Sequence, residues 1–91
     1  EGGYRREWDV MAVVEDCRDG FIYCEQRNKF FKGDTLESLE PGKKPQSFVV
    51  TELFDENGEP IDSTPRAMMK FKIRSDLKFV PGTILRKQNI K

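Results

Sequence analysis

The stretch Ala67-Met68-Met69-Lys70-Phe71-Lys72-Ile73-Arg74 decides the fold class. Ala67, Met69, Phe71 and Ile73 share one parity; Lys70, Lys72 and Arg74 share the other. A period of two sends one set to a buried face and the other to water, which a helix with its period of about 3.6 does not do. The segment reads as a half-buried strand of an antiparallel sheet. Upstream, residues 9–16 carry Val10, Met11, Val13 and Val14 and read as a strand. Residues 21–25 read as a second. Arg18-Asp19-Gly20 lies between them and is turn chemistry, because glycine reaches positive φ cheaply, so the two strands should form a hairpin. With a two-residue loop at Asp19-Gly20, Cys17 would face Ile22 and Cys24 would face Glu15.

Lys32-Gly33-Asp34 turns the chain into a short strand over residues 35–39. Residues 40–45 hold Pro41 and Pro45 and form a loop, since proline supplies no donor to a helix or central strand. Residues 46–54, centred on Phe48-Val49-Val50-Thr51, read as one strand, and Asp55-Glu56-Asn57-Gly58 as a tight turn. Val80-Pro81-Gly82 turns into a last strand over residues 83–86. Gly33-Asp34-Thr35-Leu36 and Gly82-Thr83-Ile84-Leu85 echo each other, a turn glycine followed by an inward leucine. No segment shows a helical apolar stripe over three turns, and Pro41, Pro45, Pro60, Pro65 and Pro81 punctuate the chain. The pattern predicts an all-β fold, a small six- to seven-stranded closed β-barrel, because closure removes exposed strand edges. Residues 8–87 form the barrel, residues 1–7 a linker or cloning remnant, and residues 88–91 a tail.

Ninety-one residues hold one domain at most. Hydrophobic residues are 36% and charged residues 35%, so the core is small and the surface very polar. Sixteen Lys and Arg balance sixteen Asp and Glu, which excludes a strongly basic nucleic-acid clamp or an acidic tail. There is no histidine, which removes Ser-His-Asp and Cys-His machinery and imidazole zinc sites. No apolar run reaches the ~18 residues of a membrane helix, and no apolar signal region stands at the N-terminus. Cys17 and Cys24 sit as diagonal neighbours in the expected hairpin, too far apart for a bridge, so two free thiols in a reducing cytoplasm are expected.

Asp55, Glu56, Glu59 and Asp62 do not make a calcium loop, since Pro60 stands where the turn glycine is needed. Gly42-Lys43-Lys44 lacks the upstream glycine and the following Ser or Thr of a phosphate loop. No catalytic residue, metal site or cofactor is called for. The crossover Glu25-Gln26-Arg27-Asn28-Lys29-Phe30-Phe31 is richer. Gln26, Arg27, Asn28, Lys29 and Phe30 are the candidate binding residues, because amides and cations read base edges or peptide groups and aromatics stack on bases. The same positions have a structural reading, in which Phe30 or Phe31 plugs the barrel and Arg27 or Lys29 pairs with a carboxylate. Trp8 covers a barrel end or packs against a neighbouring domain.

The run Glu25-Gln26-Arg27-Asn28-Lys29-Phe30, followed by Gly33-Asp34-Thr35-Leu36-Glu37, resembles the signature of the C-terminal domain of peptidase family U32, the collagenase-like proteases. The later order fits too: Phe48-Val49-Val50, then residues 54–61, Pro65, and Pro81-Gly82-Thr83-Ile84-Leu85-Arg86. Pro65-Arg66 departs from it, since Pro-His or similar is expected there. The resemblance implies a small barrel similar to the second domain of elongation factor Tu, set behind a larger N-terminal domain that carries the chemistry. Members are described as peptidases; others take part in hydroxylating nucleobases of tRNA or ribosomal RNA. It implies a bacterial, cytoplasmic parent and no catalytic residues in this chain. Two functions from different classes follow. The first is a non-catalytic accessory barrel of a U32-type peptidase that presents substrate to the N-terminal catalytic domain or docks on it. The alternative is an RNA-binding barrel of a tRNA or rRNA base-hydroxylation protein. A purely structural cap would instead expose an apolar patch around Trp8 or Phe30 and Phe31. The partners expected are that catalytic domain and protein substrate or tRNA, with no membrane; the fragment itself is expected to be a monomer.

Overall fold

Alternating polarity and left-handed turns build seven antiparallel strands in a computed structural model that describes residues 6–90. They are β1 (Arg6–Arg18), β2 (Phe21–Gln26), β3 (Thr35–Leu39), β4 (Gln46–Val49), β5 (Leu53–Asp55), β6 (Lys70–Arg74) and β7 (Ile84–Ile90). There is no helix among the described residues. The β1–β2 hairpin turns at Asp19 and Gly20, with φ of 55° and 79°. Two successive positive φ values match the right-handed twist of the flanking strands. Cys17 pairs with Ile22 as expected, but Cys24 pairs with Val14 and not Glu15. A bulge between Val14 and Asp16 takes Glu15 out of register, which the polarity pattern alone did not reveal. Both thiols are free.

The strands form one sheet in the order β4-β3-β7-β1-β2-β6-β5. β4 and β5 are its two ends and do not pair, so the expected closed barrel is corrected to a curled half-barrel. The reason lies in residues 46–54, expected as one strand. Val50 turns into the core, where its N–H donates to the Asp34 carbonyl at 2.9 Å, and residues 51–52 carry the chain from one sheet edge to the other. The edges are guarded without closure. Both end strands are very short, and the return over residues 59–61 covers β5 through Asp55 N–H to Glu59 O and Ile61 N–H to Leu53 O, each 2.9 Å.

Ala12, Val14, Ile22, Cys24, Leu36, Phe71, Ile73 and Leu85 line the concave side, almost wholly buried. Phe30, Val50 and Phe79 fill it from the connections, and Leu53 from the start of β5. The echoed turns behave alike: Gly33 and Gly82 have φ of 98° and 95°, and Leu36 and Leu85 are fully buried. Each turn closes by a hydrogen bond, Asp34 N–H to Phe31 O at 3.0 Å and Thr83 N–H to Val80 O at 3.1 Å. β1 begins at Arg6 and β7 runs to Ile90, past the borders expected at residues 8 and 87. Beyond β3, residues 6–9 pair with residues 87–90 as a two-stranded ribbon.

Candidate nucleic-acid interface

The five residues singled out from the crossover do not share a surface. Gln26 is 3% exposed and Phe30 is fully buried against Phe71, ring centroids 5.4 Å apart. Arg27, Asn28 and Lys29 are exposed. Arg27 pairs with Glu25 at 2.6 Å, and Asn28 Nδ2 donates to the Val10 carbonyl at 2.7 Å. Lys29 Nζ lies 5.2 Å from the ring of Phe31, which is half exposed. Phe30 and Thr64 exchange bonds, Phe30 N–H to Thr64 Oγ1 and Thr64 N–H to Phe30 O, both 3.1 Å, which pins the crossover to the core. Gln26, Arg27, Asn28, Lys29 and Phe30 are thus divided between core and surface.

The convex face of the sheet carries the chemistry. On β2, Ile22, Cys24 and Gln26 point inward and Phe21, Tyr23 and Glu25 outward; on β6, Phe71 and Ile73 point inward and Lys70, Lys72 and Arg74 outward. Pairing puts Phe21 beside Arg74, Tyr23 beside Lys72, and Glu25 beside Lys70. Phe54 of β5 joins the same rung as Lys72. The rings meet edge to face, Phe21–Phe54 at 5.6 Å and Phe21–Tyr23 at 6.3 Å. Three cations lie over them. Arg18 is 4.1 Å from the Tyr23 centroid, Lys72 is 4.4 Å from Phe21 and 5.6 Å from Tyr23, and Arg74 is 5.3 Å from Phe21.

The cations are not equivalent. Arg18 is hydrogen-bonded to Asp16, which raises its pKa. Lys70 bonds Glu15, the bulged residue, and lies 3.1 Å from Glu25. These carboxylates raise the Lys70 pKa, and Arg27 followed by Lys70 holds Glu25 below the usual carboxylate range. Lys72 and Arg74 have no carboxylate within 4.0 Å among the described residues. A cleft of about 370 Å³ opens beside Tyr23, lined by Glu15, Asp55, Glu56, Lys70 and Lys72. The face therefore has an aromatic floor, Arg74 at the Phe21 end, Lys72 between the two rings at the rim of the cleft, and carboxylates within the cleft. The alternation on residues 67–74 placed Lys72 and Arg74 on a wet face. The neighbouring rings could be found only by pairing that strand with residues 21–25.

The other half of the convex face is apolar apart from an Arg86–Glu37 ion pair. Val13 of β1 and Leu39 of β3 flank Ile84 of β7. Beyond them Val10 and Trp8 are each more than a third exposed. Arg86 lies 3.8 Å over the Trp8 ring while two of its nitrogens donate to Glu37 Oε1, at 2.9 and 2.5 Å. Trp8 is thus part of an outer sheet face and does not cover a barrel end. Among the described residues, no three His, Cys, Asp or Glu side chains gather to hold a metal. No helix among the described residues is long and apolar enough to cross a membrane.

Residues 6–86 match the family described as peptidase family U32 C-terminal domain. The chain is similar to tRNA hydroxylation protein P1 of Bacillus subtilis (strain 168), 30% identical over 78 residues, which is 86% of this chain and 18% of that protein. The chain therefore spans about a fifth of that relative's length. Two crystal structures of the C-terminal domain of a Geobacillus thermoleovorans protein classed with the U32 peptidases share the fold. The selenomethionine variant has a TM-score of 0.81 at 23% identity, covering 87% of this chain and 99% of that one. The other has a TM-score of 0.74 at 22% identity, covering 88% and 92%.

Proposed function

Because the chain belongs to the family of peptidase U32 C-terminal domains, we propose that it is a non-catalytic accessory module of a longer U32-type protein, holding RNA for the rest of that protein to act on. One observation carries this reading: Lys72, over the outward rings of Phe21 and Tyr23, and Arg74, over Phe21, have no carboxylate within 4.0 Å among the described residues. Cations without a counter-charge favour an anionic ligand, and sheet-borne aromatics favour one with flat faces. Nucleic acid has both. Peptide substrate has no such need of anion sites. The similarity to a protein named for tRNA hydroxylation supports the choice. A chain without histidine fits a module that positions substrate and leaves bond-making to another part of the protein.

The apolar half of the convex face favours a second, compatible role. Trp8, Val10, Val13, Leu39 and Ile84 would dock on the catalytic domain of the parent chain, as apolar interface patches do. The test is amide NMR of the labelled chain with bulk tRNA added at low and at moderate salt. Shifts on β2 and β6 that fade with salt are expected. No shifts at either salt would remove RNA from the reading and leave docking.

A further inference from the structure

We infer that the β2–β6–β5 face takes unpaired nucleotides, with bases stacked on Phe21 and Tyr23 and phosphates at the Lys72 and Arg74 end; the inference rests on the RNA reading above. Three features lead there. The rings lie on a sheet surface, two residues apart on one strand and 6.3 Å between centroids. The ring planes lie 64° apart, so each ring offers its own stacking site for one flat base. A duplex hides its base faces in its own stack and offers a protein backbone, groove edges and shape, none of which uses a ring face. The cations now resting on the rings also hold those ring faces covered in the free protein. A base can displace an ammonium or guanidinium from a ring while the released cation turns to the adjoining phosphate.

Charge fixes the orientation. Lys72 and Arg74 have no competing carboxylate within 4.0 Å among the described residues, and Arg18 stands next to Phe21 with Asp16 bound to it. The cleft carries Glu15, Asp55 and Glu56, with Lys70 held by Glu15 and Glu25, which leaves Lys72 at its rim and Arg74 beyond it as the cations open to phosphate. The sugar-phosphate track must therefore pass Lys72 and Arg74, and the bases point toward Tyr23 and the cleft. Few phosphates are engaged, two to three at most. That fits a chain of zero net charge, whose affinity must come mainly from stacking. For single strands each neutralised phosphate contributes about −0.7 to the slope of log K against log salt, so the slope should be shallow, about −1.4 to −2.

The experiment compares a labelled 12-nucleotide single-stranded RNA with the same sequence in a blunt duplex, by fluorescence anisotropy at several salt concentrations. The single strand should bind at least tenfold more tightly. Tyr23→Leu, which keeps an apolar side chain but removes the π face, should weaken it about fivefold or more. Lys72→Gln with Arg74→Gln should flatten the salt slope and leave thermal stability nearly unchanged, so a folding failure in the ring variant would not hide the answer. A duplex bound as tightly as the single strand, or a Tyr23→Leu variant that is folded and binds as well as the parent, overturns the stacking inference alone. Failure of both RNAs to bind overturns the RNA reading together with it.

Discussion

Replacing Phe30 by alanine should cost the domain a large share of its stability. The ring is fully buried, meets Phe71 edge to face at 5.4 Å and 64°, and sits on a crossover pinned by the two bonds to Thr64. Losing the transfer term of a buried phenyl ring costs about 2–3 kcal/mol. A cavity on the order of 100 Å³ adds about 2 kcal/mol if the wall does not collapse, at ~24 cal/mol per Å³. The two hydrogen bonds to Thr64 keep the crossover from collapsing inward, so the total should approach the upper range, about 4–5 kcal/mol. A domain of this length holds only about 5–14 kcal/mol. With an m value of about 1.5 kcal/mol per M, the urea midpoint should fall by roughly 3 M at unchanged slope. Phe31→Ala is the control. Its ring is half exposed, and the change should stay within about 0.5–1 kcal/mol. A midpoint loss below about 0.5 M for Phe30→Ala would refute the assignment of this residue to the core.

Glu25 is held below the usual carboxylate range by Arg27 and Lys70. Its folded pKa is depressed, so its contribution is present above the ordinary carboxylate pKa and is lost as pH falls through the folded value. Glu25→Gln should therefore lose less melting temperature than the parent between about pH 5 and pH 3 in thermal scans, and a parallel acid limb would contradict this. Gly20→Ala, at φ 79°, should cost about 1 kcal/mol or more by urea titration, while Asp19→Gly, at φ 55°, should be near neutral. Burial pushes the Cys24 thiol far up, so in native protein Cys17 should react first with a maleimide at pH 8, and Cys24 only at the rate of opening; equal rates by mass spectrometry would show that Cys24 is accessible.

The strands with strict alternation were legible because period two is a local property. Lys70 to Arg74 keeps it without interruption, and its in-and-out faces came out as expected, whereas Phe21 to Cys24 is apolar throughout and its faces are set by the fold. Long-range facts were not legible. Glu15 reads as one more residue of a strand, and only the register with β2 shows that it is bulged. Val50 reads as the middle of a strand, yet its bond to Asp34 makes it the point where the chain leaves β4 for the far edge of the sheet. The candidate site suffered for the same reason. The crossover residues 26–30 crowd together in sequence, but the fold sends Gln26 and Phe30 inward and Arg27, Asn28 and Lys29 outward. Phe21 and Tyr23 stand about fifty residues from Lys72 and Arg74 in the chain and meet them only through the β2–β6 pairing.

The ribbon of residues 6–9 and 87–90 has a mechanical meaning. Its outermost rung joins Arg6 to Ile90, so a pull between these two points loads one rung at a time. An antiparallel pair pulled from one end opens like a zipper, and each step releases a bond worth only ~0.5–1.5 kcal/mol net. The braces sit at its inner end, where Lys87 lies 3.2 Å from Asp34 at the entry to β3 and Glu37 holds the Arg86 guanidinium that also covers Trp8. Tension across the domain would spend itself opening this short zipper first, and the opening would halt at the Arg86 clamp with the sheet and its basic, aromatic face still intact.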